Sequence, residues 1–173
     1  MKTSKIIIIS FLICLFGLSC SPQLCLQKRA DRFIEKTYRK ADTIYKYSVA
    51  FNNFNIVWYH KDGYLYKYRI SPHMIKKYEP IVAENIFISK SSLSKYFDES
   101  IYKNVECFYH LLDGASIDIY FKNGKNLRSS IDIDCLFGQK YPVNSIPYKL
   151  QYDFSKMGQF VDFNFEDLYQ DNH

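Results

Sequence analysis

Glycine and alanine are scarce in this chain, with six Gly and five Ala in 173 residues. None of the glycines stands in a GxGxxG or P-loop spacing, which leaves little for a backbone phosphate cradle. GxSxG and HExxH are also missing, so the sequence writes neither a nucleophile elbow nor a helix-borne zinc pair. CxxC does not occur, and the four histidines stand apart at positions 60, 73, 110 and 173. That argues against a zinc site, and neither a metal nor a cofactor is expected. Cys107 and His110 are the nearest approach to a nucleophile and a base. Positions three apart on a strand point to opposite faces, so no catalytic residue is assigned. The formal charge of +5 is too mild to argue for a nucleic-acid partner.

What the chain does have is aromatic side chains, 16 Tyr and 14 Phe, but only one Trp. Lys, Asn, Ile and Tyr are favoured over Ala and Gly, a bias that AT-rich coding produces by itself. Tyrosine counts are therefore not evidence for binding.

The N-terminus is the most informative stretch. Lys2 and Lys5 precede an apolar run over residues 6–18, broken only by Ser10. As a helix these 13 residues reach about 20 Å, short of the roughly 30 Å of a hydrocarbon core. The run suits a signal peptide better than a span. It ends Phe16-Gly17-Leu18-Ser19-Cys20, a small residue just before a cysteine. This resembles the lipobox of bacterial lipoproteins, with Gly17 where the commonest form has Leu. The resemblance covers only residues 1–20. It implies cleavage before Cys20, a lipid on Cys20, and an exported protein anchored to a bacterial membrane, the leaflet left open. An ordinary secretory signal or an uncleaved anchor is the alternative. Cleavage removes Lys2 and Lys5 and takes the formal charge from +5 to +3. The mature chain is then read as a lipidated tether at 20–25 and a single α+β domain at 26–173.

Within the domain, Leu26, Ala30, Phe33, Ile34, Thr37, Ala41 and Ile44 recur at helical spacing and predict a helix over 26–45. Its polar face carries Lys28, Arg29, Arg32, Lys36, Arg39 and Lys40, close enough to the anchor to meet anionic headgroups. The plainer reading is a solvated face, diluted by Asp31, Glu35 and Asp42. Two similar hairpins are expected, "NIVWYHKDGYLYKYRI" and "ASIDIYFKNGKNLRSSI". Side-chain parity favours three-residue loops, Lys61-Asp62-Gly63 and Lys122-Asn123-Gly124, each with its glycine at positive φ. In the second hairpin this sets Ile119 opposite Leu127, Ala115 opposite Ile131 and Asp118 opposite Arg128. In the first it places Ile56, Trp58, Tyr66, Tyr68 and Ile70 on one face. A two-residue loop would instead turn Trp58 outward beside Lys67. Residues 81–88 and 105–112 read as strands and 91–102 as a short helix. Ile146, Leu150, Phe154 and Met157 mark a last helix, capped by Asn144 or Ser145, with an aromatic, acidic tail beyond. The sum is an antiparallel sheet of about five strands packed by two or three helices.

Three clusters remain as candidate sites. Trp58, Tyr59, Tyr66 and Tyr68 have the apolar faces and polar tips that suit a ligand or partner surface, or a core. Asp118, Asp132 and Asp134 share the polar face of the second hairpin, as a carboxylate group for chemistry or as solvated residues. Cys107 and Cys135 lie in strand-like runs and are either a disulfide or two buried thiols. The function expected is non-catalytic binding or assembly at the cell envelope, with a protein or glycan as partner. A toxin-neutralising lipoprotein is the alternative. A cell-wall or glycan hydrolase would rest on the Asp cluster alone.

Overall fold

The computed structural model describes residues 21–49, 52–84, 115–122, 124, 126–131, 135 and 145–157. Helix α1 spans Pro22–Thr37. Ser21 is its N-cap, and the Ser21 hydroxyl accepts a hydrogen bond from the Leu24 amide at 3.2 Å. Pro22 stands in the first turn, where its missing N–H has no intrahelical partner to lose. Leu26, Ala30, Ile34 and Thr37 form the buried stripe. The helix thus begins inside the segment expected to be a tether and stops short of residue 45. Thr43–Val49 is a strand, β1. Its sequence, TIYKYSV, is rich in β-branched and aromatic residues and alternates across the sheet. The helical reading overran because Ala41 and Ile44 continue the three-four spacing, and Ile44 is buried in the strand as it would be in a helix.

The other strands are β2 (Asn55–Lys61), β3 (Tyr64–Ile70), β4 (Ile75–Lys77), β5 (Ile81–Val82), β6 (Ala115–Phe121) and β7 (Leu127–Ile131). They form one sheet in the order β4-β3-β2-β1-β6-β7, with β5 also paired to β3. Every pairing is antiparallel. The class is α+β, and the sheet has seven strands among the described residues rather than about five. Of the remaining expectations between the hairpins, residues 85–114 lie outside the described residues.

The first hairpin corrects the expected loop. Trp58 pairs with Lys67 and Lys61 with Tyr64. The loop is therefore two residues, Asp62-Gly63, with φ of 53° and 78°. Positive φ at both positions makes it a type I′ turn, whose twist matches that of the flanking strands. Trp58 nevertheless does not turn to solvent, because β2 is buried on both faces from Asn55 to Tyr59. The parity argument needs one wet face, and this strand has none. The second hairpin has its expected register, with Ile119 opposite Leu127, Asp118 opposite Arg128 and Ala115 opposite Ile131. Asn123 lies outside the described residues.

Gly63 offers a clean test of the turn. A Cβ built there meets nothing within 4 Å, so substitution costs backbone strain alone. Gly63→Val should lower stability by about 1–2 kcal/mol in urea denaturation, and Gly63→Asn by much less. Equal stability of the two variants would contradict the turn type.

Each face of the sheet carries its own helix. Helix α2, Ile146–Met157, packs Ile146, Leu150, Phe154 and Met157 against one face. Its first turn is capped by Ser145, whose hydroxyl accepts from the Tyr148 amide at 3.3 Å. Beneath it Trp58 stacks on Tyr45 at 5.4 Å and meets the edge of Phe154 at 5.4 Å. Helix α1 covers Ile44, Val57, Tyr59, Tyr68 and Ile70 on the other face. There Phe33 packs on Tyr68 at 4.7 Å, and Tyr59 stacks on Tyr66 at 5.1 Å.

These buried phenols set an alkaline limit. Burial pushes the Tyr47 hydroxyl well above its ordinary range. Burial, then the hydrogen bond with Tyr68, does the same for Tyr59. Below about pH 10 both phenols are neutral whether the chain is folded or not. Above it the unfolded chain ionises first, so stability is lost as pH rises toward the folded values. Melting temperature should fall steeply from about pH 10 upward, and less steeply in Tyr47→Phe. A flat profile to pH 12 would contradict this burial.

Candidate functional site

Two open clefts flank α1, and their chemistry differs. The first lies between α1 and the turn from β3 to β4, with a volume of about 470 Å³. Lys28, Arg29, Arg32 and Lys36 line it from the helix, with Phe33 and Cys25 among them. Pro72 and Ile75 form the opposite wall. Among the described residues, no Asp or Glu lines this cleft. The wall is held by Ser71, whose amide donates to the Met74 carbonyl at 2.9 Å and whose hydroxyl accepts from the Met74 amide at 3.0 Å. That turn leaves Met74 56% and Ile75 40% exposed.

The second cleft, about 500 Å³, lies on the other side of α1 over β1, β6 and β7. Its floor is a charge cluster. Lys46 Nζ sits 2.9 Å from Asp118 Oδ2, and Arg128 Nε sits 3.4 Å from Asp118 Oδ1. Arg128 Nη2 also donates to Ser116 Oγ at 3.0 Å. Burial alone would lower the Lys46 pKa, but hydrogen bonds to Asp118 and Tyr120 outweigh it and the net shift is upward. Burial raises Tyr120, although Lys46 opposes that. Gln27, Asn52 and Asn55 add amide groups to the walls. This surface suits a polar partner that both donates and accepts hydrogen bonds.

A third polar group is buried. The Trp58 indole N–H donates to Asp153 Oδ2 at 2.7 Å. His60 Nε2 lies 2.9 Å from both Asp153 oxygens. The side chains of His60 and Asp153 are 3% and 0% exposed. Asp153 occupies the apolar stripe of α2, between Leu150 and Phe154. The carboxylate reaches through the core and fixes α2 to β2.

The aromatic candidates fall on different faces. Trp58 lies under α2, whereas Tyr59 and Tyr68 lie under α1 with Tyr66 packed beside them. They do not form one surface, and Trp58 is fully buried. Asp118 meets Arg128 as expected, and Lys46 more closely still. Asp132 and Asp134 lie outside the described residues, as do Cys20 and Cys107. Cys135 is disulfide-bonded, and so is Cys25, which had not been considered for a bridge. Sequence reasoning also missed Lys46, because the helix expected over 26–45 took in the start of β1 and residues 46–49 were assigned to no element. An acid in the middle of a predicted apolar stripe was the available signal for Asp153. No family model, no curated protein and no solved structure matches the chain.

Proposed function

We propose that this is a lipid-anchored envelope protein that binds or assembles with a partner and does not catalyse a reaction. The observation that supports it best is the position of α1. A lipid on Cys20 would enter a helix already capped at Ser21, so the domain would be held against its membrane with almost no slack. Both open clefts flank that helix, and both present recognition groups: cations in one, an ion cluster with amides in the other. The His–Asp pair able to move protons is buried under α2 and engaged with Trp58. No helix among the described residues is long and apolar enough to cross a membrane.

The polar cleft is the expected partner face. A photocrosslinking residue in place of Asn52, in the full chain at its own membrane, should give one dominant adduct. Asp118→Ala, which disperses the charge cluster, should remove that adduct. A diffuse adduct pattern unaffected by Asp118→Ala, or release of glycan fragments by the purified chain, would overturn the reading.

A further inference from the structure

We propose that the basic cleft between α1 and the β3–β4 turn docks the protein on an anionic phospholipid surface. The inference deepens the anchored reading above and rests on it for orientation, but its own support is local. Lys28, Arg29, Arg32 and Lys36 fall on one stripe along the length of α1, at spacings of one, three and four. All four reach the same cleft, which no acid among the described residues lines. Asp31 is near enough to Tyr120 of β6 to help raise its pKa and is not among the residues lining the cleft. Glu35 stands three residues from Arg32 and seven from Lys28, so the acids border the basic stripe, but neither is among the described residues that line the cleft.

A second observation points to lipid rather than to a soluble anion. The wall facing the cations ends in Met74 and Ile75, two of the most exposed large apolar side chains among the described residues. They are followed by Lys76 and Lys77, both exposed. Apolar tips flanked by cations match the chemistry of a bilayer interface, where the tips enter the acyl boundary and the cations meet phosphates. The Ser71–Met74 hydrogen bonds present those tips in a fixed turn. A basic patch beside a lipid anchor adds an electrostatic hold on an anionic surface. Each cation near an anionic surface shifts the equilibrium by roughly fivefold.

The test uses the full chain, reconstituted with vesicles of phosphatidylcholine or of phosphatidylcholine with about 30% phosphatidylglycerol. Flotation reports attachment, and an impermeant amine reagent reports exposure of Lys28 and Lys36. The expected result is flotation with both vesicles and labelling of Lys28 and Lys36 about fivefold lower on the anionic ones. Lys122, beyond β6 and half exposed, should label equally on both. High salt, or Arg29→Gln with Arg32→Gln, should abolish the protection. Equal labelling of Lys28 and Lys36 on the two vesicles would overturn the docking and leave the anchor standing. Salt-sensitive flotation with anionic vesicles alone would uphold the docking and overturn the anchor. Flotation with neither would overturn both.

Discussion

Asp153→Ala should destabilise the protein by about 3–5 kcal/mol, enough to lower its melting temperature by roughly 10 °C. The carboxylate is fully buried and holds two partners, the Trp58 indole N–H at 2.7 Å and His60 Nε2 at 2.9 Å. Truncation leaves both without an acceptor in a region that water does not reach. An unpaired buried polar group costs about 1–3 kcal/mol, more if it carries charge. Its second ring nitrogen does not relieve His60, because Nδ1 has no hydrogen-bond partner among the described residues. Asp153→Asn keeps the shape and one acceptor, so it should cost less than half as much. A double-mutant cycle isolates the link to the sheet. In a Trp58→Phe background the loss from Asp153→Ala should shrink by at least about 1 kcal/mol. A cost for Asp153→Ala below 1 kcal/mol would mean that the cluster does not join α2 to β2.

Cys20→Ala should abolish incorporation of labelled fatty acid and change the apparent mass, because the chain would keep its leader. Lipid attachment is all or none at this residue, so the effect is the largest expected on location. Cysteine arithmetic adds a consequence. Cleavage before Cys20 would remove Cys14 and a lipid would occupy Cys20, leaving Cys25, Cys107 and Cys135. Cys25 lines the basic cleft beside α1, whereas Cys135 packs beneath α2 on the other face of the sheet. Unchanged apparent mass and full membrane retention in Cys20→Ala would contradict lipidation.

The elements that could be read from the sequence had a wet face themselves or on their partner: α2, and β7, which alternates beside a β6 buried on both faces. Helix α2 announced itself through Ile146, Leu150, Phe154 and Met157 and through Ser145 as cap. The β6–β7 register followed from Asp118 and Arg128 on one side and Ile119, Leu127 and Ile131 on the other. The β2–β3 register was misread because both faces of β2 are buried, so parity carried no information. There the better guide was the Asp62-Gly63 pair itself, a strong type I′ signal. Strand β1 was hidden because Ala41 and Ile44 extended the period of α1. Its loss also concealed Lys46, which enters the charge cluster only when β1 lies beside β6. The basic cleft was half visible. The run of cations on α1 was plain, but which of the helix's charged residues face the cleft depends on how the helix rolls against the sheet. The apolar wall at Met74 and Ile75 depends on a turn far away in sequence.

The proposed lipid anchor at Cys20 would orient every surface discussed above, and mass spectrometry of the N-terminal peptide from protein extracted from its own membrane tests it most directly. The expected peptide begins at Cys20 and carries a lipid on the cysteine sulfur. A peptide that retains residues upstream of Cys20, that begins after it, or that shows Cys20 joined in a disulfide would contradict the anchor.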